Sequence, residues 1–164
     1  LMLGENSGGM KFYVYGMGGF AGMYDRAGDA VQEAERISGV VVSSEHHYVW
    51  EKGNRNLSYS TETPVFVKEG DETSLEACER YMQSYEAHQI DLTGCTLEQI
   101  LYVIGKGRPV TALISSDHAV MLTGYTTTDI TYIDPDMGQE YTVGISTMED
   151  MTEAGGDVFI GYIR

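Results

Sequence analysis

The alternation of apolar and polar positions divides the chain into two stretches. In the first, Lys11–Tyr15 (KFYVY) alternates as a strand does and runs into the glycine-rich GMGGFAG. That segment lacks the lysine and the spacing of a phosphate loop and reads as a flexible turn. Asp29–Ile37 reads as a short helix, with Ala30, Val31, Ala34 and Ile37 near helical spacing and Gly39 as its stop. Val40–Val42 and Tyr48–Trp50 predict strands around SSEHH, so residues 1–57 form a small β-α-β-β unit, free to pack as part of a larger fold. A polar run with Pro64 and Gly70 then predicts a linker over 58–72.

The second stretch, 73–164, is more regular. Thr73 with Glu76 is a capping box opening a helix to about Glu86, its apolar side formed by Leu75, Cys78, Tyr81, Met82 and Tyr85. Thr96 with Gln99 caps a second helix that buries Leu97, Ile100, Leu101 and Ile104 and stops at Gly105. Strands are predicted at Val110–Ser115, Ala119–Tyr125 and Ile130–Asp134. A helix capped by Ser146 and Glu149 ends before Gly155, and Val158–Ile163 closes as a strand. Helices followed by an antiparallel sheet define an α+β class.

Composition narrows the function. With 164 residues, 42% of them hydrophobic, the chain builds one ordinary domain or a small unit packed on a larger one. No apolar run approaches the ~18 residues of a membrane span. Leu1–Gly9 has neither the basic nor the apolar part of a signal peptide, and a start at Leu suggests a piece of a longer protein. A formal net charge of -15, spread along the chain, argues against a nucleic-acid partner and for a well-solvated surface. His46 and His47 are adjacent, so on a strand they point to opposite faces and cannot share one metal. His88 follows a helix end and faces solvent. No metal site and no cofactor is expected, and oligomeric state is not legible. The two cysteines, Cys78 and Cys95, have no CxxC spacing. They are a disulfide, two buried thiols, or a nucleophile and a bystander.

The most informative stretch is GRPVTALISSDHAVMLTGYTTTDITYIDPDMGQ. Its two central strands are joined by a few residues around Tyr125–Asp129 and so form a hairpin. Folding it about residue 126 brings His118 opposite Asp134 or its near neighbours. A carboxylate there fixes the imidazole tautomer and stabilises the imidazolium, the third role in a nucleophile–His–acid triad. The competing reading is a His–Asp pair that only caps the sheet end.

G-x-PV, then H-A-V-M-L-T-G-Y, then I-x-Y-I-D-P resembles the C39-like cysteine peptidase family. The residues that match are Gly107, Pro109, Val110, His118, Gly124, Tyr125, Asp134 and Pro135. The resemblance covers roughly Thr96 to Gly138, with a looser extension to the C-terminus. It implies a papain-like fold, helices packed on an antiparallel sheet, and thiol attack on a peptide or related amide bond. It also implies a nucleophile about eighty residues before the histidine, at a helix start, six positions after an oxyanion-binding glutamine. No cysteine stands that far upstream.

Cys95 is the better candidate, because it immediately precedes the Thr96 helix, where unpaired N–H groups and the helix dipole favour a thiolate. Gln89 precedes it by the family's spacing. Cys78, inside its helix beside Leu75 and Met82, reads as a small core residue. The expected function is hydrolysis of a peptide or protein substrate: Cys95 attacks, His118 is the base, Asp134 orients it and Gln89 helps bind the oxyanion. The alternative is an inactive peptidase-fold module for binding or assembly. A cell-wall amidase would use the same geometry. The family's usual setting implies a bacterial surface or secreted protein, extracellular or in the cell envelope.

Overall fold

The computed structural model describes residues 9–163. The first stretch folds as β1 (Phe12–Gly16), β2 (Gly19–Tyr24), α1 (Ala27–Ile37), β3 (Val40–Ser43) and β4 (Tyr48–Glu51), and β5 (Tyr59–Ser60) lies in the polar connection. The second stretch opens with α2 (Ser74–Gln83), β6 (His88–Asp91) and α3 (Leu97–Ile104). It continues with β7 (Val110–Ser115), β8 (His118–Tyr125), β9 (Asp129–Asp134), β10 (Gln139–Gly144), α4 (Ile145–Ala154) and β11 (Phe159–Ile163). Two antiparallel sheets result, a small one ordered β2-β1-β3-β4 and a large one ordered β10-β9-β8-β7-β11-β6, with β5 flanking β8. The class is α+β.

GMGGFAG is not a flexible turn. Gly16 and Gly19 close a hairpin, and Phe20 to Tyr24 run back as β2, with a bulge opposite Val14 and Tyr15. In α1 the buried residues Ala27, Ala30, Val31 and Ala34 make one narrow stripe of small side chains, so the helix lies close on β1 and β3. Ser38, at φ 56°, ends it, and the Gly39 N–H returns to the Ala34 carbonyl at 2.8 Å. Gly39 answers a different demand: a Cβ there would stand 2.4 Å from the Tyr15 carbonyl oxygen.

One core runs through both stretches. Phe12, Val14, Val41 and Trp50 pack with Ile100, Leu101, Val110, Leu122 and Phe159 in a single buried cluster. The Trp50 indole N–H donates to the Gln99 carbonyl at 3.0 Å, Gln32 donates to the Gln99 side chain at 2.8 Å, and Arg26 donates to Asp91 at 3.0 Å. Each fully buried Ile, Leu or Phe stabilises the fold by about 1.5–3 kcal/mol, so the small sheet is held by the same interior as the large one. The polar connection is also docked. Tyr59 and Ser60 pair with Tyr125 and Gly124, and the Thr61 and Lys68 N–H groups donate to the Thr123 and Pro135 carbonyls at 2.8 and 2.9 Å.

On the other face of the large sheet, α2 covers Met121, Ile160 and Tyr162 with Cys78 and Met82. Covered on both sides, β8 is buried from Ala119 to Tyr125, which is why HAVMLTGY reads as a near-continuous apolar run. The capping boxes of Thr73–Glu76 and Thr96–Gln99 are both formed. That of Ser146 and Glu149 is not: α4 begins at Ile145 after Gly144, with no side-chain cap.

Candidate functional site

His118 opens β8, across from Ser115 of β7. Its Nε2 lies 2.9 Å from Asp134 Oδ1 and 3.6 Å from Asp136 Oδ2. Asp134 Oδ1 also accepts the Asp136 N–H at 3.0 Å, and the Asp134 carbonyl accepts the Gly138 N–H at 2.8 Å, so the turn after β9 clamps the carboxyl group. The Lys68 ammonium is 3.3 Å from Asp136 Oδ1. The His118 side chain is 29% exposed and that of Asp134 is 11% exposed, which sets the pair at the rim of the sheet rather than in its interior.

The register differs from the one read in the sequence. Met121 pairs with Ile133 and Leu122 with Tyr132, and a bulge before Gly124 shifts the remainder. Asp134 is therefore carried across from Val120, and His118 reaches it diagonally, within the span of a long side chain on neighbouring strands. The shift also brings in Asp136, which sequence reasoning missed. With the Asp134 oxygen as acceptor, His118 Nε2 is the donor of this hydrogen bond. His118, Asp134 and Asp136 offer ligand atoms within 4.8 Å of one another, close enough for one cation. Asp134 Oδ1 accepts the Asp136 N–H and lies against His118 Nε2, and Asp136 Oδ1 faces the Lys68 ammonium.

The structure does not bring Cys95 to this pair. Cys95 follows β6, which is separated from β8 by β7 and β11, three strand spacings or about 14 Å. It is 2% exposed, in the core shared with α1 and α3. Burial first, then the Asp91 charge, pushes its thiol up to about 12, a hydrogen bond with Gln32 easing the shift. Gln89 is on β6 and donates to Glu79 Oε2 at 3.0 Å, so its amide is committed away from His118.

Cys78 lies on the opposite face, completely buried on the inner side of α2. Burial pushes its thiol up to about 12 too, partly offset by a hydrogen bond with Thr111, with smaller contributions from the Glu79, Asp134 and Asp136 charges. No disulfide joins the two cysteines; both are free. The end of α2 that reaches β8 beside His118 carries Ser74, whose Oγ accepts the Ala119 N–H at 2.8 Å. Ser74 is 2% exposed. The capping box at Thr73 marked this helix start in the sequence; a search for cysteine alone passed over the serine.

A cleft of about 540 Å³ is lined by Thr61, Pro64, Tyr81, Tyr85, Arg108 and Tyr162, among others. Its Gly107–Pro109 wall precedes β7, so it opens at the end of that strand remote from Ser115 and His118. No helix among the described residues is long and apolar enough to cross a membrane.

The described residues form an antiparallel α+β domain with a histidine–carboxylate pair at a sheet rim. The model of the Peptidase_C39 like family matches residues 43–154, and the chain belongs to that family. The chain is also similar to a solved structure named "putative C39-like peptidase from Bacillus anthracis", at 18% identity and a TM-score of 0.43. The likeness covers 56% of this chain and 59% of that one. No curated protein matches the chain significantly.

Proposed function

We propose that this peptidase-like domain has a papain-like fold that retains the histidine and its carboxylate but works without a thiol nucleophile, as a binding or assembly module. The observation that carries this reading is the burial of both sulfurs, 0% exposed at Cys78 and 2% at Cys95. Cys95 is embedded in one core, Cys78 in the other, and burial holds both thiols protonated. At pH 8 a thiol with a pKa near 12 is ionised in about one molecule in ten thousand, and neither sulfur has an exposed surface for substrate to approach. Ser74 at the helix start is closed in as well, its oxygen spent on the Ala119 N–H. The cleft lies at the remote end of β7, away from His118. The His118–Asp134 bond then has the structural task of tying the start of β8 to the turn after β9.

The test is incubation of the protein with an unstructured peptide library and, separately, with an epoxide that traps catalytic cysteines. The expected result is no new cleavage product above a protein-free blank and no epoxide adduct at neutral pH. Cleavage that Cys78→Ala or Cys95→Ala abolishes while the fold is kept would restore the hydrolase reading.

A further inference from the structure

The small sheet has two unlike faces. Phe12, Val14, Val41 and Trp50 point inward and are buried. The alternate positions point outward, and the register arranges them in rows: Met23, Tyr13, Val42 and Tyr48 across one, Phe20, Tyr15, Val40 and Glu51 across the next. The Phe20 ring stands edge-on to Tyr13 and Tyr15, with centroids 6.3 and 5.8 Å apart. Met17, at the hairpin tip, is fully exposed, and Phe20, Met23, Tyr48 and Tyr15 are exposed by 62, 58, 59 and 39%. From Phe12 to Tyr24 there is no charged residue, in a chain of formal net charge -15.

We propose that this aromatic face is the contact of a symmetric homodimer. At about 200 Å² for a large side chain, the five residues expose roughly 600 Å². That is at the upper limit of the largest apolar patch on ordinary monomers, about 300–600 Å². Two such faces together approach the ~1,200 Å² at which specific interfaces begin. Tyr, Phe and Met without Lys, Asp or Glu is the composition of an interface core. A second copy suits this face in particular: a two-fold axis sets its uncharged centre against itself, and Glu51, at the β4 end of the second row, is already paired with Lys106 at 3.4 Å. Packing is face to face rather than edge to edge, because the bulge opposite Val14 and Tyr15 breaks the ladder beside β2, the outer strand among the described residues. The surface lies mostly on strands preceding Ser43, outside the family-matched stretch, and is independent of the His118 site. Away from the contact, two chains of charge -15 repel, so the dimer tightens as salt screens them.

Sedimentation velocity of the wild-type protein, from about 1 to about 300 µM at low and high salt, tests the proposal. The expected result is a monomer–dimer equilibrium in the micromolar range, several-fold tighter at the higher salt, with Phe20→Glu weakening it at least tenfold. Tyr48→Glu, on a different strand, repeats the test should Phe20→Glu unfold, and far-ultraviolet circular dichroism reports folding. A wild-type protein that stays monomeric throughout, or a dimer untouched by both substitutions, overturns the proposal. So does a monomer that captures only other molecules through this face.

Discussion

The two sulfur-bearing regions and the histidine-bearing rim of the large sheet follow opposite rules. Cys78 and Cys95 sit on its two faces, each among apolar neighbours that exclude water and hold the thiol protonated. His118 and Asp134 sit where the strands end, partly solvated, and bonded to one another. A peptidase site needs these environments merged, with sulfur brought out to the rim beside the imidazole. Here the position where helix meets rim holds a serine whose oxygen serves the backbone. The contrast teaches that a histidine–acid pair is evidence of a fold before it is evidence of a reaction.

The largest expected effect tests whether the interior is shared. Trp50→Ala empties a large site and strips the Gln99 carbonyl of its indole donor, and should cost about 3–5 kcal/mol, measured by urea denaturation. Wild type should unfold in one transition; separate transitions for the small and large sheets would divide the core that joins them. Ser74→Ala leaves the Ala119 N–H buried without its partner and should cost about 1–3 kcal/mol.

A smaller effect sharpens the account of the thiols. For Cys78 and Cys95 the folded state holds the proton more tightly than the unfolded state, whose pKa is near the ordinary 9.0. Their contribution to stability is therefore complete below pH 9 and is lost as pH rises toward about 12. Denaturation curves across that range should be flatter for a Cys78→Ala/Cys95→Ala double variant than for wild type. The buried Tyr162 phenol, also raised by burial, leaves some alkaline slope in both. Smallest of all, Lys68→Ala removes a partly exposed ion pair with Asp136 and should shift stability by no more than about 0.5 kcal/mol.

Much of the fold was legible because its signals are local. Thr73–Glu76 and Thr96–Gln99 mark helix starts within four residues, and the run from Ala119 to Tyr125 announces a doubly covered strand. The sheet-edge strands β2, β6 and β10 were missed: GFAGMY, HQID and QEYTVG are short and partly exposed, and β6 is held by β11, a partner distant in sequence. The His118–Asp134 contact was legible from one hairpin, although the hairpin turns beyond residue 126 and the register beside His118 lies two residues from the one read there. Cys78 was legible as a core residue of its helix; where Cys95 lies was not. Cys95 has the helix-start setting of a reactive thiol, but strand order decides its distance from His118, and the β8-β7-β11-β6 order depends on a closing strand at the far end of the chain.

Labelling the native protein with iodoacetamide over a range of pH, with and without His118→Ala, and reading each cysteine by mass spectrometry addresses the central claim most directly. Both cysteines should label only at the rate of opening, accelerated by subdenaturing urea and unchanged by His118→Ala beyond its effect on stability. A cysteine that reacts rapidly in the folded protein near neutral pH, and loses that reactivity when His118 is removed, would contradict the account.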